Sequence, residues 1–312
     1  MRIMVIGAGP IGLLCGGWLQ CAGAEVCFVA RGTRLEALRS HALTVSGQLP
    51  FRLERVEAVA SAEEAEPADL VLLGVKMYDL ASAAQAARAA VKPDGVVAGL
   101  QNGVSVYSTL RALLPPASIA VGIFHAPAKL TGPTSISYAG AARIVLGNPH
   151  CAPPPIVGEL IELWRRAGVD AQLSEDINLV LWTKFLGLAT NAALTCLTRL
   201  PAGILYHDPD LLALTSQSIE EVIAVGRAEG IRFAPDAAQA TLALLQRFPP
   251  DTVASMRQDL DAGKRLELEA ITGEIVRLGR KHAVPTPLHS LVYTVLKPYR
   301  DGPPVAGRSS RG

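Results

Sequence analysis

A lone lysine, Lys184, sits in the apolar stretch NLVLWTKFLGLATNAALTCLT, close to Trp182 and Phe185. A charge in such surroundings is costly unless it is paired or put to use. The residues leave two readings open. The long stem snorkels and its ammonium reaches water, or the amine is partly desolvated and its pKa is drawn down. The second suits proton donation to a carbonyl oxygen during hydride transfer. A cradle for a hydride carrier is readable at the other end of the chain. In RIMVIGAGPIG, the run Gly7-Ala8-Gly9-Pro10-Ile11-Gly12 follows a predicted strand and opens a predicted helix. Gly7 permits the tight turn, a side chain at Gly9 would hold a pyrophosphate off the backbone, and Gly12 lets helix and strand pack closely. Unbonded N–H groups at the helix start then meet the phosphates.

The end of the second strand decides which dinucleotide is expected. NAD sites usually carry an Asp or Glu about 20 residues past the glycines, accepting from the ribose 2′-OH. This chain reads EVCFVARGTR there, ending the strand at Arg31 with Arg34 close behind. No carboxylate repels a 2′-phosphate, and a guanidinium can bind one bidentately, so NADP(H) is the expected cofactor. Two solvated loop arginines are the alternative. LVLLGVKMYD and GLQNGV place Lys76 and Asn102 just beyond two further strands. Ligands of open α/β sheets bind beyond the carboxyl ends of the strands, so both residues are candidates to line the cofactor and substrate crevice. A solvated cation and an ordinary Asn-Gly turn are the competing readings.

These positions need a frame. Over residues 1–174, strands are predicted at 2–6, 25–30, 69–75, 95–100 and 117–124, with helices at 80–91, 105–114 and 153–167 and a hairpin over 134–147. Strands alternating with helices predict βαβ units and a parallel sheet, an α/β Rossmann-type dinucleotide-binding domain. Over residues 175–299 helical patterns take over, at 175–194, 211–229, 237–248, 255–260 and 266–282, predicting an all-α second domain, which Lys184 makes the candidate substrate and catalytic domain. Residues 300–312, RDGPPVAGRSSRG, lack periodicity and read as a disordered tail.

Composition narrows the partners. Twenty-nine basic and 28 acidic residues leave a net charge of +1, with no basic stripe, so neither nucleic acid nor an acidic membrane surface is an expected partner. A small neutral or singly charged substrate is expected instead. The five cysteines, Cys15, Cys21, Cys27, Cys151 and Cys196, include no Cys-x-x-Cys pair, so neither a disulfide framework nor a metal site follows. They read as buried thiols in a reducing compartment, which makes the cytoplasm the expected location. Glycines and Pro10 interrupt the first 24 residues too early for a signal peptide or a membrane helix. Apolar helical faces in the second half leave room for a homodimer.

The pieces GAGPIG, ARG, LLGVKMYDL, LQNGV, LWTKFLGLATNAALTCLTRLPAG and SMRQDLDAGKRLELEAITGEIVRLGRKHAVPTP cover nearly the whole chain. In this order they resemble the ketopantoate reductase (2-dehydropantoate 2-reductase) family. The resemblance implies a Rossmann domain followed by an all-helical domain, with NADPH between them, and reduction of ketopantoate to pantoate in pantothenate and coenzyme A biosynthesis. It implies that Lys184 is the general acid and that Glu267 holds the substrate's hydroxyl. Ser255 would bind the substrate carboxylate, and Asp259 matches an acid in the same motif. Lys76 and Asn102 match residues that line the nicotinamide and substrate region.

Residue chemistry is compatible with those roles. Ser255 and Asp259, at i and i+4, share a helical face. Glu267 follows the Ala262-Gly263 interruption and begins the next helical run, where a solvated glutamate is the alternative. One departure stands out. Family members devoted to ketopantoate usually carry an asparagine one turn after the lysine and an Asn-Pro pair beyond it. This chain has Leu188 and Thr195-Cys196 there. Asn191, two turns after Lys184 on roughly the same face, is the candidate substitute. Leucine removes a hydrogen bond of about 0.5–1.5 kcal/mol and leaves a more apolar pocket. A reductase of a related 2-oxo acid and a non-catalytic NADP(H)-binding regulator on the same fold are the alternative functions. An NAD-dependent dehydrogenase of another family would want an acidic residue near position 31 and a His–Arg pair, and neither is evident.

Overall fold

Ile3, Met4 and Val5 bury both faces of their strand, which demands a central position in a covered sheet. The computed structural model, which describes residues 1–115 and 118–304, places them there. It divides into a first unit, Met1–Val180, and a second beginning at Leu181. In the first unit β1 (Arg2–Ile6) is flanked by parallel β2 (Glu25–Val29) on one side and β6 (Ala68–Leu73) on the other. The strands β3 (Leu43–Ser46), β4 (Phe51–Leu53) and β5 (Glu57–Val59) fall between β2 and β6 in the chain. The sheet continues with β7 (Val91–Gly99), β8 (Ile119–His125), β11 (Arg143–Gly147) and β12 (Asp170–Leu173), in the order β12-β11-β8-β7-β6-β1-β2-β5. Every neighbouring pair is parallel except β8 with β11. The chain leaves β1 for β2 and β5, then returns to β6 on β1's other side. That reversal opens a crevice at the carboxyl ends of β1 and β6, where ligands of such sheets bind.

The hairpin expected over 134–147 does not form. β9 (Ala128–Leu130) and β10 (Ser135–Tyr138) belong to a separate four-stranded sheet, ordered β4-β3-β10-β9, while β11 joins the large one. Burial explains the separation. β10 alternates and covers one face, whereas β11 is buried at four successive residues and needs cover on both. The expected strand at 117–124 is observed from Ile119; residue 117 lies outside the described residues. Not all cysteines are buried: Cys15, Cys27 and Cys196 are, Cys21 and Cys151 are exposed, and all five are free.

The second unit is helical among its described residues. Its elements are α6 (Ile177–Thr198), which starts in the last residues of the first unit, α7 (Ala202–Leu205), α8 (Pro209–Ala228), α9 (Ala237–Gln246), α10 (Ser255–Asp261), α11 (Thr272–Lys281) and α12 (Pro287–Leu296). The first unit carries α1 (Pro10–Cys21), α2 (Gly32–Ser40), α3 (Leu80–Ala90), α4 (Val106–Arg111) and α5 (Pro155–Arg166). α6 has the length and mean hydropathy, 1.3, of a membrane span, but 61% of that window is buried by protein. Apolar residues all round a helix are equally the mark of a core helix.

The helix expected at 266–282 starts only at Thr272. Ile271, at φ −109° and ψ −90°, breaks the helical path, and Leu266 donates its N–H to the Arg300 carbonyl at 2.8 Å. Glu267 therefore lies in a loop. Arg300, at the head of the expected tail, also pairs with Glu269 at 3.5 Å; residues 305–312 lie outside the described residues.

Sequence patterns gave no warning of α12, which a buried carboxylate holds in place. Glu221 of α8 accepts from the N–H groups of Leu288 (2.8 Å) and His289 (3.0 Å), satisfying first-turn donors that have no helical partner. Glu221→Ala is expected to lose about 2–3 kcal/mol by leaving these donors unpaired. Urea denaturation checks it, and an unchanged midpoint would show that the cap contributes nothing.

Candidate active site

The glycines of the first turn differ in why they are glycine. Gly7 has φ +105°, and a Cβ there would lie 2.7 Å from Val75 Cγ1. A Cβ on Gly12 would lie 2.1 Å from the Gly7 carbonyl oxygen. Gly9 is under neither constraint. Its φ of −80° and ψ of 177° suit any residue, and its nearest neighbour would be the Gly74 oxygen at an ordinary 3.5 Å. Nothing inside the protein requires the missing side chain. A pyrophosphate lying on the loop would, so the cradle fits a dinucleotide. The first helical bond of α1, from Leu13 N–H to Gly9 O at 3.0 Å, leaves the N–H groups of Ile11 and Gly12 directed out of the helix start.

This contrast is testable. Gly9→Ala is expected to keep its thermal midpoint and to bind NADPH roughly tenfold or more weakly, equivalent to about 1.4 kcal/mol of steric conflict. Gly12→Ala should lower the midpoint itself. If Gly9→Ala binds NADPH like the unmodified chain, the pyrophosphate does not lie over Gly9.

Two contributors escaped the motif reading. Gly74 follows β6, donates its N–H to Ile6 O at 2.8 Å, and would place a Cβ 2.7 Å from Gly12 Cα. It lets the glycine turn and the end of β6 come together. Gln101, buried beyond β7, donates from Nε2 to the carbonyls of Leu73 (2.6 Å) and Val75 (3.2 Å). It thereby pins the segment leading to Lys76. A glycine closing an all-apolar strand, and an amide beside Asn102, were the available signals. Lys76 and Asn102 are both half-buried, the first opening the 3-10 turn Met77–Asp79, the second next to Gly103 at φ +116°.

The two arginines at the end of β2 have different surroundings. Arg34 donates to the carbonyls of Gly132, at 3.4 Å, and Pro133. Arg31 is exposed at the start of α2 and makes no hydrogen bond or ion pair among the described residues.

In the second unit, Lys184 rides on α6 among the buried Trp182 and Phe185, whose rings meet edge to face at 5.8 Å. The side chain keeps part of its surface accessible, yet burial draws its pKa down from 10.5 to about 8, against the opposing pull of the Glu267 carboxylate. Glu267 itself is 4% exposed in the loop before α11. Along α6, Leu188 is half-buried and Asn191 is buried, with Asn191 Oδ1 accepting from the Tyr206 hydroxyl at 2.7 Å. Thr195 and Cys196 are core residues, Thr195 Oγ1 turning back to the Asn191 carbonyl at 2.6 Å. Ser255 opens α10 and is exposed, and Asp259 follows one turn later, half-buried.

A parallel sheet with this glycine turn at its switch point is a dinucleotide-binding fold, and the chain is an oxidoreductase of the nicotinamide-dependent class. The pattern of the family described as ketopantoate reductase PanE/ApbA matches residues 3–150, and that of its C-terminal domain matches residues 176–300. The chain belongs to the ketopantoate reductase family. The 2-dehydropantoate 2-reductase of Archaeoglobus fulgidus is 30% identical over 301 residues, covering 96% of this chain and 98% of that protein. The crystal structure of 2-dehydropantoate 2-reductase from Geobacter metallireducens superposes with a TM-score of 0.89 at 27% identity, over 95% of this chain and 99% of that one. A PanE/ApbA family ketopantoate reductase from Ralstonia eutropha gives 0.87 at 30% identity, over 96% and 98% of the two chains.

Proposed function

We propose that this chain reduces 2-dehydropantoate to pantoate with NADPH, in the cytoplasm, on the route to pantothenate and coenzyme A. The observation that carries the reading is Lys184, an amine whose pKa is drawn to about 8 beside a buried carboxylate. When bound, NADPH supplies the hydride. Lys184 supplies the proton to the oxygen of the reduced carbonyl. At pH 7 a group of pKa about 8 is about nine-tenths protonated, and it gives up its proton far more readily than an ordinary lysine. Glu267 keeps the ammonium charged and accepts from the substrate hydroxyl. Ser255 donates to the carboxylate, with Asp259 on the same helical face, and Asn191 offers a further polar contact. In the first unit Lys76 and Asn102 line the nicotinamide end, Gly7 to Gly12 hold the pyrophosphate, and Arg31 takes the 2′-phosphate.

Leu188 favours a second reading, reduction of a related 2-oxo acid with a more apolar side chain. Loss of NADPH absorbance with a panel of 2-oxo acids tests both. The highest kcat/KM is expected for 2-dehydropantoate, and a higher value for another acid makes that acid the substrate. NADPH binding without consumption in the presence of any acid would overturn the reductase reading and leave a regulator.

A further inference from the structure

Three positions of α6 form one stripe. Asn191 lies seven residues after Lys184, nearly two full turns, so the two share a face about 10 Å apart along the axis. Leu188 lies between them. The stripe thus reads proton donor, apolar contact, polar contact. Asn191 is only 9% exposed, and its Oδ1 is taken by the Tyr206 hydroxyl at 2.7 Å. Its amide nitrogen makes no hydrogen bond among the described residues, and it is not among the sealed unpartnered atoms, so it keeps an accessible face.

Tyr206 is fully buried and held from two sides. Gln246 Nε2 donates to its carbonyl at 3.3 Å, and the Phe248 ring meets its own edge to face at 6.5 Å. Burial raises the phenol well above its usual pKa, so the hydroxyl remains a donor. A carboxamide whose oxygen accepts from a fixed donor cannot turn over without losing that bond. Its NH2 group is thereby committed to the other side.

We infer that Tyr206 is a positioning residue of the substrate site, locking the Asn191 carboxamide so that its NH2 group donates to an oxygen on the far end of the 2-oxo acid from the carbonyl that Lys184 protonates. This rests on the reductase reading and adds to it a residue outside α6 that fixes the orientation of a substrate contact on that helix.

The test compares 2-dehydropantoate with 3,3-dimethyl-2-oxobutanoate, the same skeleton without the terminal hydroxyl. The unmodified chain, Tyr206→Phe, Asn191→Ala, the double variant and Asn191→Asp are each assayed with saturating NADPH. The unmodified chain is expected to prefer the hydroxylated acid in kcat/KM. Tyr206→Phe should reduce that preference about 3- to 10-fold through KM, with kcat and NADPH affinity kept. Asn191→Ala should do the same, and the double variant should be no worse than Asn191→Ala alone. Asn191→Asp keeps the acceptor for Tyr206 while removing the donor. It should lose the preference even if Tyr206→Phe fails to fold. An unchanged preference in Asn191→Asp, or additive losses in the double variant, would overturn the positioning role with the reductase reading intact. No turnover of any acid by the unmodified chain would remove both together.

Discussion

Lys184→Ala is expected to lower kcat by about 10²–10⁴-fold, the usual worth of a positioned general acid, while NADPH affinity stays nearly constant. The accompanying pH dependence separates proton donation from generic damage. A pKa of about 8 predicts that kcat/KM holds steady below pH 8 and falls tenfold per unit above it, as the ammonium is lost. Lys184→Ala should lose that descending limb along with the rate.

Stability should move in the opposite direction from activity. The lysine's folded pKa is depressed below its unfolded value, so between about pH 8 and 10.5 the unfolded chain binds more protons. On this group's account stability rises with pH across that window, and below it the folded state holds the charge at a penalty. Removing the amine relieves that penalty but also strands the buried Glu267 carboxylate, so the readout is the pH dependence: Lys184→Ala should lose the rise in stability between about pH 8 and 10.5. Unchanged turnover in Lys184→Ala, or a kcat/KM that does not fall above pH 8, would remove Lys184 from the mechanism.

For Arg31→Ala, NADPH affinity is expected to drop about 10- to 100-fold and NADH affinity to change little. Charge-assisted hydrogen bonds of about 1.5–3 kcal/mol are at stake, and each 1.4 kcal/mol is about tenfold in Kd. Arg31 is the available guanidinium because Arg34 is engaged by the carbonyls of Gly132 and Pro133. Arg34→Ala should accordingly disturb the corner between α2 and the 132–133 loop without altering cofactor preference. An exposed guanidinium is screened by salt, so NADPH affinity should also weaken faster than NADH affinity as ionic strength rises. Fluorescence titration with both nucleotides measures the difference. Equal losses would show that Arg31 does not read the 2′-phosphate.

Particular residues show where reading the chain succeeded and where it stopped. The turn after β1 was readable because a tight reversal at Gly7 and close helix–strand packing at Gly12 leave glycine as the only choice at two fixed positions. β1 was readable because a run of wholly apolar residues after the start has few other uses. The supposed hairpin failed because β10 and β11 have similar strand character, and only the cover available on each face sends them to different sheets. Gly74 and Gln101 were passed over because their partners, Gly12, Leu73 and Val75, are brought close only when β6 takes its place between β1 and β7.

Spacing along the chain was therefore sufficient for the glycine turn, the alternation of strand and helix, and the candidacy of Lys184, since each is a property of neighbours within a turn or a strand. The lysine's lowered pKa, the cap that Glu221 places on α12, and the Tyr206 grip on Asn191 had to await the folded chain. Desolvation depends on how densely protein surrounds an amine, and a hydrogen bond on whether remote segments meet within about 3 Å. No linear pattern encodes either quantity.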